Sequence, residues 1–279
     1  MISLCVLCGS MATFYACSST EDYQYETKDT MTIHSHQVAG KEMYELLLLT
    51  DIANIEAGNK ATLSFLPIRD KVHKVSLQTN HEKKIHLIVV SDDLSYFEHI
   101  HPEPREEFYT VETTFPSGGE YSLFAEYVPE GDEQQIQRFD FNVKGPGKDY
   151  SSYTEQQKTT LSGDYSVTLD IPAEGLNTGS LQIPVTISKG STEIPATDLE
   201  DYLGSKAHAI LVSVRNKNFV HAHPEVRNKK LIIPAYVQEP GFYRLWLQFK
   251  LKGLVHTADF VIKVHQSLQP EQAGIIHRH

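Results

Sequence analysis

Apolar and polar residues alternate in short runs along most of the chain, and the second half shows it most plainly: YSVTLDI, LQIPVTIS, HAILVSV, NFVHAH, KLIIPAYV, FYRLWLQF and VHTADFVIKV follow one another between residues 165 and 264. A period of two sends successive side chains to opposite faces, so each run predicts a β-strand. Gly, Pro, Asn and Asp separate the runs, and no apolar stripe of helical period and useful length interrupts them. About seven such runs recur in the first half. Seven short strands in roughly 100 residues match an immunoglobulin-like β-sandwich. The expected fold is all-β, with two tandem immunoglobulin-like β-sandwich domains.

The halves repeat one another in detail. FEHIHPE at 97–103 becomes FVHAHPE at 219–225, an offset of 122 that also carries ATLSF at 61–65 onto IPVTI, IHLIVVSDD at 85–93 onto AHAILVSVR, and GEYSLFAEY at 119–127 onto GFYRLWLQF. A shift of three residues then aligns RFDFNVK at 138–144 with TADFVIK at 257–263, which sets Gln137 opposite His256. The predicted organisation is a signal segment at 1–17, a polar linker at 18–40, a sandwich at 41–144, a linker at 145–160, a second sandwich at 161–265 and a tail at 266–279. Each repeat holds a full set of apolar strands, so each is expected to fold alone.

Parity then locates the histidines. His208 alternates in phase with Ile210 and Val212, His221 and His223 with Phe219, and His256 with Ala258, Phe260 and Ile262, which puts all four on an apolar face. His208 begins one strand where His221 and His223 end the next, so a hairpin brings them to one edge, and immunoglobulin strand order brings His256 to the same end. Imidazoles at i and i+2 project together, and a third from a neighbouring strand completes a set suited to Cu²⁺ or Zn²⁺. The expected ligands are His208, His221, His223 and His256 in the second repeat, and His86, His99 and His101 in the first. With Gln137 in place of a fourth histidine, the first site is expected to be the weaker. Single histidines on apolar faces are commonly hydrogen-bonded core residues, so the cluster carries the metal reading. Glu103 and Glu225 read as solvated turn residues, and Tyr121 and Tyr243 as tyrosine corners. The pairs His34 with His36 and His277 with His279 read as polar or terminal segments.

Composition narrows the partners. With 36 Asp and Glu against 25 Lys and Arg, the net charge of -11 repels phosphate backbones and anionic lipid alike. Nucleic acid is excluded as a partner. Residues 1–17, MISLCVLCGSMATFYAC, carry no charge and precede the polar run SSTEDYQYETKDT, as an export signal does. All three cysteines lie inside that segment. Its end resembles the lipobox of bacterial lipoproteins through Ala16 and Cys17, which implies lipidation at Cys17 and a membrane contact through the lipid anchor.

The pattern H-x-x-x-V-S, then F-x-H-x-H-P-E, then a Gly-x-Tyr strand resembles secreted bacterial proteins and lipoproteins whose domains look like YtkA-like and CopC-like β-sandwiches. That resemblance implies copper handling outside the cytoplasm, with His208, His221, His223 and His256 as matching positions. The N-terminal histidine of CopC-like proteins has no counterpart at Cys17. The expected function is an exported, membrane-anchored lipoprotein on a periplasmic or outer-membrane face, binding copper or zinc for handling or delivery. The alternative is an adhesion or assembly module of the cell envelope, with a protein partner there and structural histidines. No positioned nucleophile, carboxylate pair or phosphate-binding glycine loop is visible, so no enzymatic activity is expected.

Overall fold

The computed structural model describes residues 44–267 together with the backbone of one strand at Thr32–Ser35. The first repeat forms β1 (Thr32–Ser35), β2 (Tyr44–Leu48), β3 (Lys60–Arg69), β4 (His73–Lys74), β5 (Ile85–Ser91), β6 (Phe97–Ile100), β7 (Glu103–Arg105), β8 (Phe108–Thr114), β9 (Gly119–Tyr127) and β10 (Gln135–Val143). The second forms β11 (Thr159–Ser162), β12 (Tyr165–Leu169), β13 (Leu176–Asn177), β14 (Gly179–Lys189), β15 (Thr192–Ile194), β16 (Ala207–Ser213), β17 (Phe219–Ala222), β18 (Glu225–Arg227), β19 (Lys230–Val237), β20 (Gly241–Leu251) and β21 (Leu254–His265). Among the described residues there is no α-helix, only two 3₁₀ turns at Ile52–Asn54 and Ala196–Asp198.

Each repeat is a two-sheet sandwich. In the first, β10-β9-β5-β6 face β2-β3-β8-β7; in the second, β21-β20-β16-β17 face β12-β14-β19-β18. Those orders are the G-F-C-C′ and A-B-E-D sheets of the immunoglobulin arrangement. The two buried cores are built from alternate residues of these strands, with Leu87, Val89, Leu123 and Phe139 in the first and Ala209, Leu211, Leu245 and Phe260 in the second. Tyr121 donates its hydroxyl to the Ser117 carbonyl at 3.0 Å and Tyr243 to the Glu239 carbonyl at 2.9 Å, so both corners are structural.

Three features depart from the sequence reading. Thr32–Ser35, inside the stretch read as polar linker, pairs antiparallel with β10, whose outer edge offers unpaired backbone groups to a passing chain. The last strands match at a different offset, since Tyr127 pairs Gln135 as Phe249 pairs His256. The counterpart of His256 is therefore Gln135. Gln137 instead clamps β2, accepting from the Leu46 amide at 2.7 Å and donating to its carbonyl at 3.1 Å.

The third departure governs the site. Strands β5 and β16 are buried along their whole length on both faces. One face of each feeds its own sandwich core; the other, with Ile88 and Val90 or Ile210 and Val212, joins a third apolar cluster that includes Leu94, Phe124 and Trp246 from the two repeats. The sandwiches therefore pack sheet against sheet. Phe97 stacks on Trp246 with centroids 4.7 Å apart, and Phe124 stacks on Phe219 at 4.6 Å. At the repeat offset of 122, Phe97 corresponds to Phe219 and Phe124 to Trp246, so one stack is the other turned about a pseudo-two-fold axis. Arg244 seals one margin: its Nε donates to the Leu94 carbonyl at 3.3 Å while its Nη2 pairs with Asp259 at 2.7 Å. Lys217, itself buried, reaches across to Asp92 at 3.2 Å.

Candidate metal centre

The histidines collect at one end of this interface. His86 on β5, His99 on β6 and His101 just beyond it form one triad; His208 on β16, His221 on β17 and His223 just beyond it form the other. In each triad one nitrogen per ring lies within 4.8 Å of the others. His86 Nδ1 stands 3.1 Å from His99 Nε2, His101 Nε2 stands 3.2 Å from that same atom, and His208 Nδ1 stands 3.1 Å from His221 Nε2. Nitrogens bound to a tetrahedral ion at roughly 2.0–2.1 Å lie roughly 3.3–3.4 Å apart, so the spacing is close to that of a coordination shell.

Oxygen atoms outside each triad set which nitrogen faces inward. His86 Nε2 donates to the Asn80 carbonyl at 3.0 Å, and His208 Nε2 donates to the Tyr202 carbonyl at 3.0 Å. Backbone carbonyls only accept, so with neutral rings both Nδ1 atoms carry lone pairs into the triads. His99 Nδ1 donates to Gln248 Oε1 at 2.9 Å, and His221 Nδ1 donates to Glu126, leaving their Nε2 atoms as acceptors. His223 Nε2 is buried with no hydrogen-bond partner in the protein. Converging lone pairs repel one another unless a cation lies between them. A ring that donates outward to a carbonyl or carboxylate is also the usual support of a metal-bound histidine.

Burial favours the neutral ring at His86, His99, His101, His208 and His223. It lowers the pKa of His86 and takes that of His99 well below the ordinary value, with neighbouring imidazoles adding to the effect. The same two causes hold His101 at about 3, His208 at about 3 and His223 at about 2. Neutral imidazole is the form that coordinates a metal.

His256 is not with them. Its ring packs on Phe249 and Tyr165 at centroid distances of 5.2 and 5.0 Å. Parity put it on an apolar face correctly, but β16 and its neighbours have two apolar faces. His256 pairs with Phe249 on the face toward the sandwich core, whereas His208 pairs with Gln248 on the face toward the other repeat. Both triads consist of three histidines, and the first is not short of a ligand relative to the second. Glu103 and Glu225 are exposed and pair with Lys83 at 2.5 Å and Arg227 at 2.6 Å. Cys17, His36, His277 and His279 lie outside the described residues, and His34 falls in β1, opposite Arg138.

Comparison with known families places this arrangement in one of them. The chain belongs to the family described as domain of unknown function (DUF8832). The match covers residues 28–145 and again 158–266, one span for each sandwich. Membership brings no activity with it, and nothing in the match brings the copper handling of the YtkA-like and CopC-like proteins. No curated protein matches the chain. A solved structure described as giving insight into host cell surface retention of a 1.5-MDa bacterial ice-binding adhesin is similar at 8% identity, covering 88% of this chain and 67% of its own, with a TM-score of 0.23. A structure described as the anomalous substructure of Titin-A168169 is similar at 11% identity, covering 76% of this chain and 93% of its own, with a TM-score of 0.21. Likeness at that level says nothing of function.

Three residues of the site escaped the sequence reading. His81, in the turn before β5, stacks on His223 with centroids 3.8 Å apart, and Leu203 holds its place in the second repeat. Glu126 and Gln248 occupy one repeat position on the strands β9 and β20. Their signal was a polar side chain in phase with Phe124 and Trp246 rather than with the sandwich core, which makes sense only once that second face is known to be buried.

Proposed function

We propose that this protein binds transition-metal ions, Cu²⁺ or Zn²⁺, at its two histidine triads, and that it does so as an exported lipoprotein engaged in metal handling or delivery. The observation that carries the metal reading is the set of inward lone pairs fixed by outward donors, above all at His86 and His208, where the acceptors are backbone carbonyls. All-imidazole donor sets suit Cu²⁺ and Zn²⁺, whereas Ca²⁺ and Mg²⁺ take oxygen. A triad leaves further coordination positions open, as a site that passes its ion onward needs. Export and lipidation at Cys17 are supported by the uncharged segment before it and the polar run after it. The net charge of -11 favours the approach of cations.

Calorimetry with Cu²⁺ and Zn²⁺ on the full mature chain, with metal content measured after dialysis, tests the reading. His99→Ala and His221→Ala should each greatly weaken one triad. If parent and variants alike retain neither ion, the adhesion or assembly alternative takes the lead. In that case the close ring nitrogens of each triad are hydrogen-bonded packing rather than a coordination shell.

A further inference from the structure

The two triads do not stand as separate sites at opposite ends of the molecule. His99 lies 5.5 Å from His221 and 5.6 Å from His208 between ring centroids, and His86 lies 5.8 Å from His221 and 6.2 Å from His208. Rings within one triad are 4.6–5.4 Å apart. The gap between triads is barely wider than the gaps inside them. We propose that the six histidines form a single dinuclear transition-metal centre, one ion per repeat, assembled across the interface between the sandwiches.

The outer contacts are crossed, which supports this. Glu126 is the cross-strand neighbour of His86 in the first repeat, yet it accepts from His221 of the second. Gln248 is the cross-strand neighbour of His208, yet it accepts from His99 of the first. Each triad therefore lacks one orienting partner until the other sandwich docks. The His81 ring, from the first repeat, also covers His223 of the second. The apolar stacks beside the cluster hold the sandwiches in the register these contacts need. Two ions held by adjoining shells share the space between them, and a single small anion such as hydroxide can bridge ions at the roughly 3.5–4 Å spacing of two-metal sites. The centre is unequal by construction, because a carboxylate backs His221 and a neutral amide backs His99.

This inference rests on the metal reading above, and the test separates the two. Cu²⁺ is added in steps to the full mature chain, and paramagnetic resonance counts the visible spins while calorimetry counts bound ions. Two equivalents should bind. The first should give an isolated Cu²⁺ spectrum, and the second should broaden or diminish it through coupling, so that visible spin falls short of bound copper. In His101→Gln or His223→Gln, conservative changes at the less buried rings, one equivalent should bind tightly with its full isolated spectrum. Two bound ions whose spectra simply add would overturn the dinuclear centre while leaving the metal reading standing, and so would saturation at one ion shared by both triads. Failure of any Cu²⁺ to bind would remove both.

Discussion

Glu126 and Gln248 show how much rests on one pair of atoms. The two residues hold the same place in the repeat, but one offers a carboxylate to His221 and the other an amide to His99. Orienting partners of metal-bound histidines are typically worth 10–100-fold in affinity. Glu126→Gln should therefore weaken the second-repeat site by roughly 10–100-fold and bring the two binding steps together, which calorimetry would resolve; two steps as far apart as in the parent would count against an orienting role. The depressed pKa values of the triad rings carry a second expectation. In the unfolded chain these histidines titrate near the ordinary 6.5, while in the folded metal-free protein His101 and His208 are held at about 3 and His223 at about 2. As the pH falls below 6.5 the unfolded state takes up more protons, so stability, full above that value, declines toward the folded pKa values. The urea midpoint of the metal-free protein should drop between pH 7 and pH 5, above the range where most carboxylates titrate. It should drop less in a His101→Gln, His223→Gln double variant. Metal binding by the folded protein is correspondingly expected to persist through pH 6 rather than fade at the pKa of a free histidine.

At the scale of strands, β5 and β16 are the decisive elements, because each is apolar on both faces and so belongs to two cores at once. The aromatic stacks Phe97 on Trp246 and Phe124 on Phe219 lie in the shared one. Removing the buried Trp246 side chain should destabilise the full chain by about 3–5 kcal/mol, the usual range for a large aromatic cut to alanine. The same change should weaken metal binding although the residue is not one of the proposed ligands. Chemical denaturation and metal titration of Trp246→Ala check both. The second repeat expressed alone, residues 158–266, uncovers Ile210, Val212, Phe219 and Trp246 together. We expect it to self-associate or to melt well below the full chain. A monodisperse monomer with the full chain's melting temperature, seen by sedimentation and calorimetry, would show that the sandwiches are independent after all.

At the scale of the molecule, the pseudo-two-fold packing makes one interface out of two copies of the same sheet, as a homodimer does. Covalent linkage through residues 144–158 keeps the copies together and lets them diverge, as Glu126 and Gln248 have. That linker is partly fixed to both halves: Tyr153 donates to the Leu94 carbonyl at 3.1 Å, and its ring lies under the Arg244 guanidinium at 4.6 Å. Among the described residues no helix is long and apolar enough to cross a membrane. The proposed attachment is the lipid on Cys17, and Cys17→Ala should move the protein from the membrane fraction to the soluble one. A variant that still sediments with membranes would argue against lipidation.

The sequence by itself determined the strands, their grouping into two sandwiches and the two histidine triads, because those follow from period-two alternation and from a repeat whose offset stays constant through Phe97, His99 and His101. Alternation names the two faces of a strand without saying what covers each. Where both faces of a strand are apolar, as along His208 to Ser213, a core face and a docking face read alike. That ambiguity placed His256 with the triad and left Glu126 and Gln248 unnoticed, while His81 lies in a turn, where alternation says nothing. Only the tertiary structure decided that the histidine-bearing faces of the two sandwiches meet, since that contact joins residues such as Glu126 and His221, 95 positions apart, and His99 and Gln248, 149 apart, through shape and apolar area and leaves no local periodicity in the chain.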